Sequence, residues 1–251
     1  MKLDGKLCYR ALLCAGVSTG LLAHSALAQQ SSTYIGEVAG KAGFVDDDAD
    51  TKYINASATL YLDPVKESVG PLAEAAFLNR ATNFYVYDTI TEYYDDNAQD
   101  FGIGGEIYIP NSMFYAAASY NRHKDDGNSD GTVTVKAGIT PVYGLRLLTA
   151  YTEDEGYDLN MEAKYILDLP GAQALNLEAG FRDDDSNTIT AAVDFYINSH
   201  SSIGVATVDT GADTTYTFRG KHFFTNRFYV GGALTSADAG DSFEVNTGFR
   251  F

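Results

Sequence analysis

The chain has 251 residues, with 17 Lys and Arg against 34 Asp and Glu for a formal charge of −17, and its two cysteines are Cys8 and Cys14. So acidic a chain repels a phosphate backbone, whose binding needs clustered basic side chains, and nucleic acid is not expected as a partner. A chain without cysteine beyond Cys14 builds neither a disulfide scaffold nor a thiolate metal site there.

The opening segment carries Lys2, Lys6 and Arg10, an apolar stretch from Ala11 to Ala23, and the small-residue triplet Ala26-Leu27-Ala28. This is the layout of a secretory signal peptide over residues 1–28, cleaved after Ala28. Its apolar stretch is shorter than the roughly 20 residues of a bilayer-spanning helix. Removing it takes away Lys2, Lys6, Arg10 and Asp4 and leaves 14 basic against 33 acidic side chains over residues 29–251, a formal charge of −19. Nothing downstream reaches the length of a spanning helix. Two destinations fit: a soluble exported protein, or a barrel whose membrane signal is hidden in alternation.

From Gln29 onward, segments of about ten residues alternate apolar with polar, the period of a strand. They begin near Tyr34, Thr51, Thr82, Asp100, Ser112, Gly131, Tyr143, Gly156, Ala172, Asn187, Ser201, Asp213, Asn226 and Asp241. Those near Tyr34, Thr82 and Ser112 alternate least cleanly. In the fourth, Phe101, Ile103, Gly105, Ile107 and Ile109 oppose Gly102, Gly104, Glu106 and Tyr108. In the tenth, Ile189, Ala191, Val193, Phe195 and Ile197 oppose Thr188, Thr190, Ala192, Asp194 and Tyr196. In the last, Phe243, Val245, Thr247, Phe249 and Phe251 oppose Ser242, Glu244, Asn246, Gly248 and Arg250.

The connections alternate between two chemistries. Every second one is acidic: Asp46-Asp47-Asp48-Ala49-Asp50, Asp95-Asp96 with Asp100, Asp125-Asp126 with Asp130, Glu153-Asp154-Glu155, Asp183-Asp184-Asp185, Asp209 with Asp213, and Asp238 with Asp241. The others are neutral: Pro110-Asn111, Pro141-Val142, Pro170-Gly171, the turn from Asn198 to Ser201, Thr225-Asn226, and one long insertion from Pro64 to Ala81. A soluble sandwich has no reason to sort carboxylates this way, whereas an up-and-down barrel puts every second turn on the same rim. The expected fold is all-β, a transmembrane up-and-down antiparallel β-barrel of 14 strands, with 12 still open. Both termini then lie on the neutral, periplasmic rim and the acidic rim faces outward. Aromatic girdles are expected at Phe44, Phe101, Tyr120, Tyr151, Tyr157, Phe181, Tyr216 and Phe243 near the acidic turns. Tyr34, Phe114, Tyr143, Tyr165, Phe195, Phe228 and Phe251 are expected to form the second girdle, near the neutral turns.

Charges cluster on the faces expected to point inward, since a lipid-facing Lys or Arg at mid-depth costs about 2–4 kcal/mol. The candidate pore-lining residues are Lys41, Glu106, Lys136, Arg146, Glu162, Lys164, Glu178, Arg182, Asp194, Arg219, Glu244 and Arg250, joined by Glu37, Lys221 and Arg227. In an eight-stranded barrel such side chains fill the interior, but fourteen strands enclose too wide a lumen to be closed by side chains alone. Within the insertion, Gly70-Pro71 opens a helix-competent run in which Leu72, Ala75, Ala76 and Phe77 share an apolar side. The pattern alone favours a cap on the mouth.

The chain resembles bacterial outer-membrane β-barrels in its signal peptide, its alternating strands and its terminal Phe249 and Phe251. In that family the last strand is read by the barrel assembly machinery, although Gly248 departs from the usual glycine position. The stretch Tyr61-Leu62-Asp63-Pro64 through Gly70-Pro71-Leu72-Ala73-Glu74-Ala75-Ala76-Phe77-Leu78 is similar to the first periplasmic turn of the small gammaproteobacterial porins. That resemblance implies fourteen strands and a first periplasmic turn folded into the channel. Pro64, Lys66, Glu67, Pro71, Glu74, Phe77 and Arg80 would then form a constriction.

The expected function is an outer-membrane channel for passive diffusion of small hydrophilic solutes or ions, weakly cation-preferring through its carboxylate-lined mouth and narrowed by residues 64–81. Its other partners would be outer-membrane lipid and lipopolysaccharide. A non-conducting structural or adhesive barrel is the alternative, and a rim-located hydrolase the remote one, with His123 beside Asp125 and Asp126 its sole candidate. No catalytic residue, cofactor or metal is expected. Asp46, Asp48 and Asp50 mimic the start of a calcium loop, but Thr51 stands where the loop needs glycine and no Glu closes it.

Overall fold

Alternation commits each segment to two faces, and a closed ladder lets one of them meet lipid without unpaired backbone groups. The computed structural model describes residues 33–47, 49–94, 96–125, 127–153, 159–183, 187–238 and 240–251. The segment 1–28, the acidic-turn residues Asp48, Asp95, Asp126, Asp154, Glu155, Asp184 and Asp185, and Tyr157 lie outside the described residues.

Fourteen strands follow one another. The first seven are β1 Thr33–Asp46, β2 Lys52–Lys66, β3 Asn83–Tyr93, β4 Asp96–Tyr108, β5 Phe114–Asp125, β6 Asn128–Ile139 and β7 Leu145–Thr152. The rest are β8 Leu159–Leu169, β9 Gln173–Asp183, β10 Thr188–Asn198, β11 Ser201–Asp209, β12 Thr214–Phe223, β13 Phe228–Ala237 and β14 Gly240–Arg250. Each start falls within four residues of the position read from alternation. Neighbours in the chain pair antiparallel, and β1 closes on β14 from Glu37 opposite Arg250 to Asp46 opposite Asp241. The closed ring decides for fourteen strands over twelve. No helix among the described residues is long and apolar enough to cross a membrane.

The faces sort as the sequence requires. Phe101, Ile103 and Ile107 on β4, Ile189 and Val193 on β10, and Phe243 and Val245 on β14 are exposed on the outer surface. Their strand neighbours Glu106, Asp194 and Glu244 bond across the interior. Tyr120, Tyr151 and Tyr216 stand exposed toward the acidic rim, and Phe114 and Tyr143 toward the neutral one.

Two outward features depart from expectation. Tyr34 belongs to no girdle: it is 1% exposed, faces inward and packs edge-on against Tyr61 at 5.5 Å. The register of β1 against β2 shifts between Tyr34 and Gly36, so that Ile35 and Gly36 both face outward and the parity beyond them reverses. The second is Asp88, which shares the outer face of β3 with the exposed Phe84, Val86 and Ile90. Its carboxylate accepts from Gln99 Nε2 at 2.9 and 3.1 Å, which replaces water on both oxygens.

The turns follow local chemistry. In the first acidic turn Asp47 accepts from the backbone of Thr51 (3.0 Å) and Ala49 (3.1 Å) and from the Thr51 hydroxyl (2.8 Å). Those donors, the Thr51 amide foremost, hold its carboxyl below the usual aspartate range. Asn111 at φ 57° turns the chain between β4 and β5, a left-handed conformation that asparagine tolerates.

Candidate functional site: the lumen and its inward segment

Strand β2 continues to Lys66, so Pro64 and Lys66 belong to the wall and the long connection covers residues 67–82. Within it lie a 3-10 turn, Leu72–Glu74, and one α-helical turn, α1, Ala75–Leu78. A single turn of helix has little intrinsic stability. What fixes it is contact with strands all around the ring.

Leu72 packs on Phe223 of β12 and Tyr229 of β13, and its N–H donates to the Ser199 carbonyl at 2.9 Å in the β10–β11 turn. Leu78 packs on Ile166 of β8, Ala174 of β9 and Tyr196 of β10. Ala75 lies with Tyr34 and Val65 against β1 and β2. Arg80 donates to the Thr140 carbonyl at 2.9 Å, just past β6, and Asn226 in the β12–β13 turn donates to Glu67 at 2.9 Å. A segment that touches β1, β2, β8, β9, β10, β12 and β13 crosses the inside of the cylinder at the neutral rim. Pro71 is buried there, and Phe77 lies under two cations, the Arg146 guanidinium at 5.3 Å and the Lys164 ammonium at 5.1 Å from its ring centre. All four residues expected on the apolar side of the helical run pack, Leu72 and Ala75 fully buried and Ala76 and Phe77 half-buried. Leu78 joins them, so the run has packed surface on more than one side.

Gly70 makes the entry possible. Its φ is +73°, and a β-carbon there would lie 2.4 Å from Leu78 Cδ1. We expect Gly70→Ala to loosen the inward segment by about 1–2 kcal/mol, from left-handed strain together with the displaced Leu78. Faster proteolysis between residues 67 and 82 in otherwise folded barrels reports this, and unchanged protection would count against it.

The charges expected to line the lumen meet in pairs. Arg219 donates bidentately to Asp194 (2.7 and 2.7 Å), which also accepts from Asn176 at 2.9 Å. Lys164 bridges Glu178 (3.0 Å) and Glu74 of the inward segment (2.9 Å), and Glu74 accepts from the Tyr196 hydroxyl at 2.6 Å. Arg146 meets Glu106 (3.3 Å) and the Tyr108 hydroxyl (3.0 Å). Lys136 pairs with Glu162 (3.1 Å) and Lys41 with Glu244 (3.4 Å). Arg250 joins three elements. It donates to Glu37 at 2.6 Å and to the Leu72 carbonyl at 2.8 Å, between the rings of Tyr34 and Phe223. Lys221 lies 4.7 Å from the centre of the Tyr229 ring, Arg182 stands on β9 opposite Asn160 and Thr188, and Arg227 sits in the β12–β13 turn.

The inward tyrosines were not singled out from sequence. Tyr53 donates to Glu244 (2.8 Å), Tyr115 to Glu106 (2.7 Å) and Tyr229 to Glu37 (3.1 Å). Their parity matches that of the charged residues on the same strands, which is the signal that marks them. His123 faces inward on β5 with Nδ1 2.7 Å from Asp100. Among the described residues no group of His, Cys, Asp and Glu is placed to hold a metal ion.

A closed fourteen-strand cylinder, apolar outside and ion-paired inside, defines the class as transmembrane β-barrel channels. A family model described as "Putative general bacterial porin" matches residues 11–145 and 140–251, and the chain belongs to that family. Its fold is similar to the crystal structure of the Acinetobacter baumannii outer membrane protein Omp33, at 26% identity and a TM-score of 0.77, over 88% of this chain and 100% of that one. The KdgM porin is more distant, with 10% identity and a TM-score of 0.46 over 86% of this chain and 99% of that one. A mutant of the Rh. blastica porin aligns at 11% identity and a TM-score of 0.46 over the same shares, 86% and 99%. None of the curated protein sequences matches the chain. Family and fold make it an outer-membrane porin.

Proposed function

We propose that the porin passes small hydrophilic solutes and ions by passive diffusion, through a lumen narrowed at the neutral rim by the segment 67–82, with a weak preference for cations. The observation that carries this reading is the set of bonds from the segment to opposite walls: Lys164 and Tyr196 on one side, Arg250 on another. A connection so tied across the interior takes up cross-section that water and solute would otherwise use. The selectivity follows from charge. Carboxylates crowd the acidic mouth and raise the local concentration of cations, while inner arginines and lysines, each close to an acid, moderate the field.

In this reading the signal segment 1–28 is removed, the neutral rim and both termini face the periplasm, and the acidic rim faces outward. Phe249 and Phe251 present the last strand to the assembly machinery, and the outer aromatic and apolar face lies in lipid and lipopolysaccharide. Catalysis finds no support in the His123–Asp100 contact, which stands alone without a nucleophile beside it.

Reversal potentials across a planar bilayer under a salt gradient test the preference. Changing Asp46, Asp96, Asp125, Asp209 and Asp241 to Asn should lower the cation-to-anion permeability ratio by roughly twofold at low salt and less at high salt. An unchanged ratio at low salt would remove the acidic rim from the account.

A further inference from the structure

The two halves of the lumen differ in chemistry. On the side of β8, β9, β10 and β12 the wall is charged, with Lys164, Glu178, Asp194 and Arg219 in one network. On the side of β2 to β5 a continuous panel carries no ionised side chain, and its centre is occupied by two tyrosine rings.

Those rings lie flat against the wall. A β-carbon at Gly104 would fall 2.6 Å from the Tyr85 ring, and one at Gly102 would fall 2.4 Å from the Tyr87 ring. Each ring of β3 therefore covers the bare backbone of a glycine on β4. Tyr87 continues across it and donates its hydroxyl to Asn121 Oδ1 on β5. The same device recurs where Tyr53 covers Gly43 and reaches Glu244, and where Tyr229 covers Gly248 and reaches Glu37. A ring pressed on glycine keeps one face against backbone and turns the other to the lumen. Both Tyr85 and Tyr87 are half-exposed.

What surrounds the two rings is neutral and hydrogen-bonding. Thr59 and Ser57 stand opposite Tyr85 and Tyr87 on β2, and Ser119 and Asn121 opposite Gly104 and Gly102 on β5. One row toward the acidic rim Asn55 donates to Thr89 at 2.8 Å. Carboxylates appear only at the panel's ends, Asp100 with His123 above and Glu106 with Asn83 below. An ion gains nothing from such a surface, because no opposite charge replaces its water. A solute with a flat C–H face and a hydroxyl edge gains on both counts, by covering apolar ring surface and by bonding to side chains that both donate and accept.

We infer that Tyr85 and Tyr87, with Ser57, Thr59, Ser119 and Asn121, form a stacking subsite for neutral pyranose sugars. The proposal rests on the diffusion channel proposed above and names a solute class for it. Sugar entering from the acidic mouth slides along the aromatic panel, while ions follow the charged wall opposite.

The test is single-channel recording of the full barrel with cellobiose added on one side, and polyethylene glycol of matching size as the control for volume and viscosity. Cellobiose should lower the open current more than the polymer does. In Tyr85→Ala/Tyr87→Ala the half-blocking concentration should rise about tenfold, while Tyr85→Phe/Tyr87→Phe, which keeps both ring faces, should block as the parent does. A normal open current that cellobiose attenuates no more than the polymer overturns the subsite and leaves the channel standing. Equal block in the alanine variant also overturns it. Silence of the parent barrel without sugar overturns the channel reading, and the subsite with it.

Discussion

Replacing residues 68–81 by a short glycine-rich turn between Glu67 and Thr82 is expected to raise single-channel conductance by roughly twofold or more. The segment brings Leu72, Ala75 and Leu78 into contact with walls on opposite sides of the cylinder, and its removal returns that volume to water. The ring itself should survive. Its closure is made by β1 on β14 through a continuous ladder in which the segment has no part. Lost contacts do expose Tyr34, Phe223 and Tyr229 to the lumen, so the variant should melt earlier while still migrating as a folded barrel. Conductance equal to the parent's, with the barrel folded, would place the segment outside the conducting path.

Lys164→Ala is expected to have the second-largest effect. The ammonium sits between Glu74 at 2.9 Å and Glu178 at 3.0 Å, and Glu74 is only 7% exposed. Removing the lysine leaves two carboxylates facing one another with little water, the situation in which a broken buried pair costs about 3–5 kcal/mol. The cost falls on the docking of the inward segment rather than on the strand ladder, so larger and noisier currents are expected with little loss of barrel. Glu74→Gln in the same chain should restore most of the quiet behaviour, because the amide still accepts from Tyr196 and carries no charge. If the double variant is as noisy as Lys164→Ala alone, charge is not what holds the segment.

Much of this architecture was legible in the sequence because the barrel imposes one rule throughout. Apolar and polar residues must alternate wherever a strand has lipid on one side and water on the other, and the acidic turns must fall on one rim. Thus Glu244 and Arg250 were placed inward from the last strand alone, and the structure gives each an ion-pair partner from β1, Lys41 and Glu37. Long-range facts were not legible. Nothing local in β12 or β10 says that Arg219 meets Asp194, since the pair depends on the shear of the sheet rather than on either strand. Tyr34 was misread because one irregular step after it inverts the parity that the rest of β1 obeys. The strand boundary at Lys66 was hidden by Pro64, which reads as a turn residue and stands exposed in the wall instead. The outward Asp88 broke the rule itself, and the Gln99 that answers it lies on the next strand.

The position of Arg250 has a consequence for the order of events. Its guanidinium fastens the first strand through Glu37 and the inward segment through Leu72, yet it arrives on the strand that is made last. Until that strand docks, the earlier part of the chain has no latch for the segment, and a half-built cylinder stays open at one end. Seam and gate are therefore secured in a single late step, and a chain that stalls before it would leave the cell with a leak rather than a narrow pore.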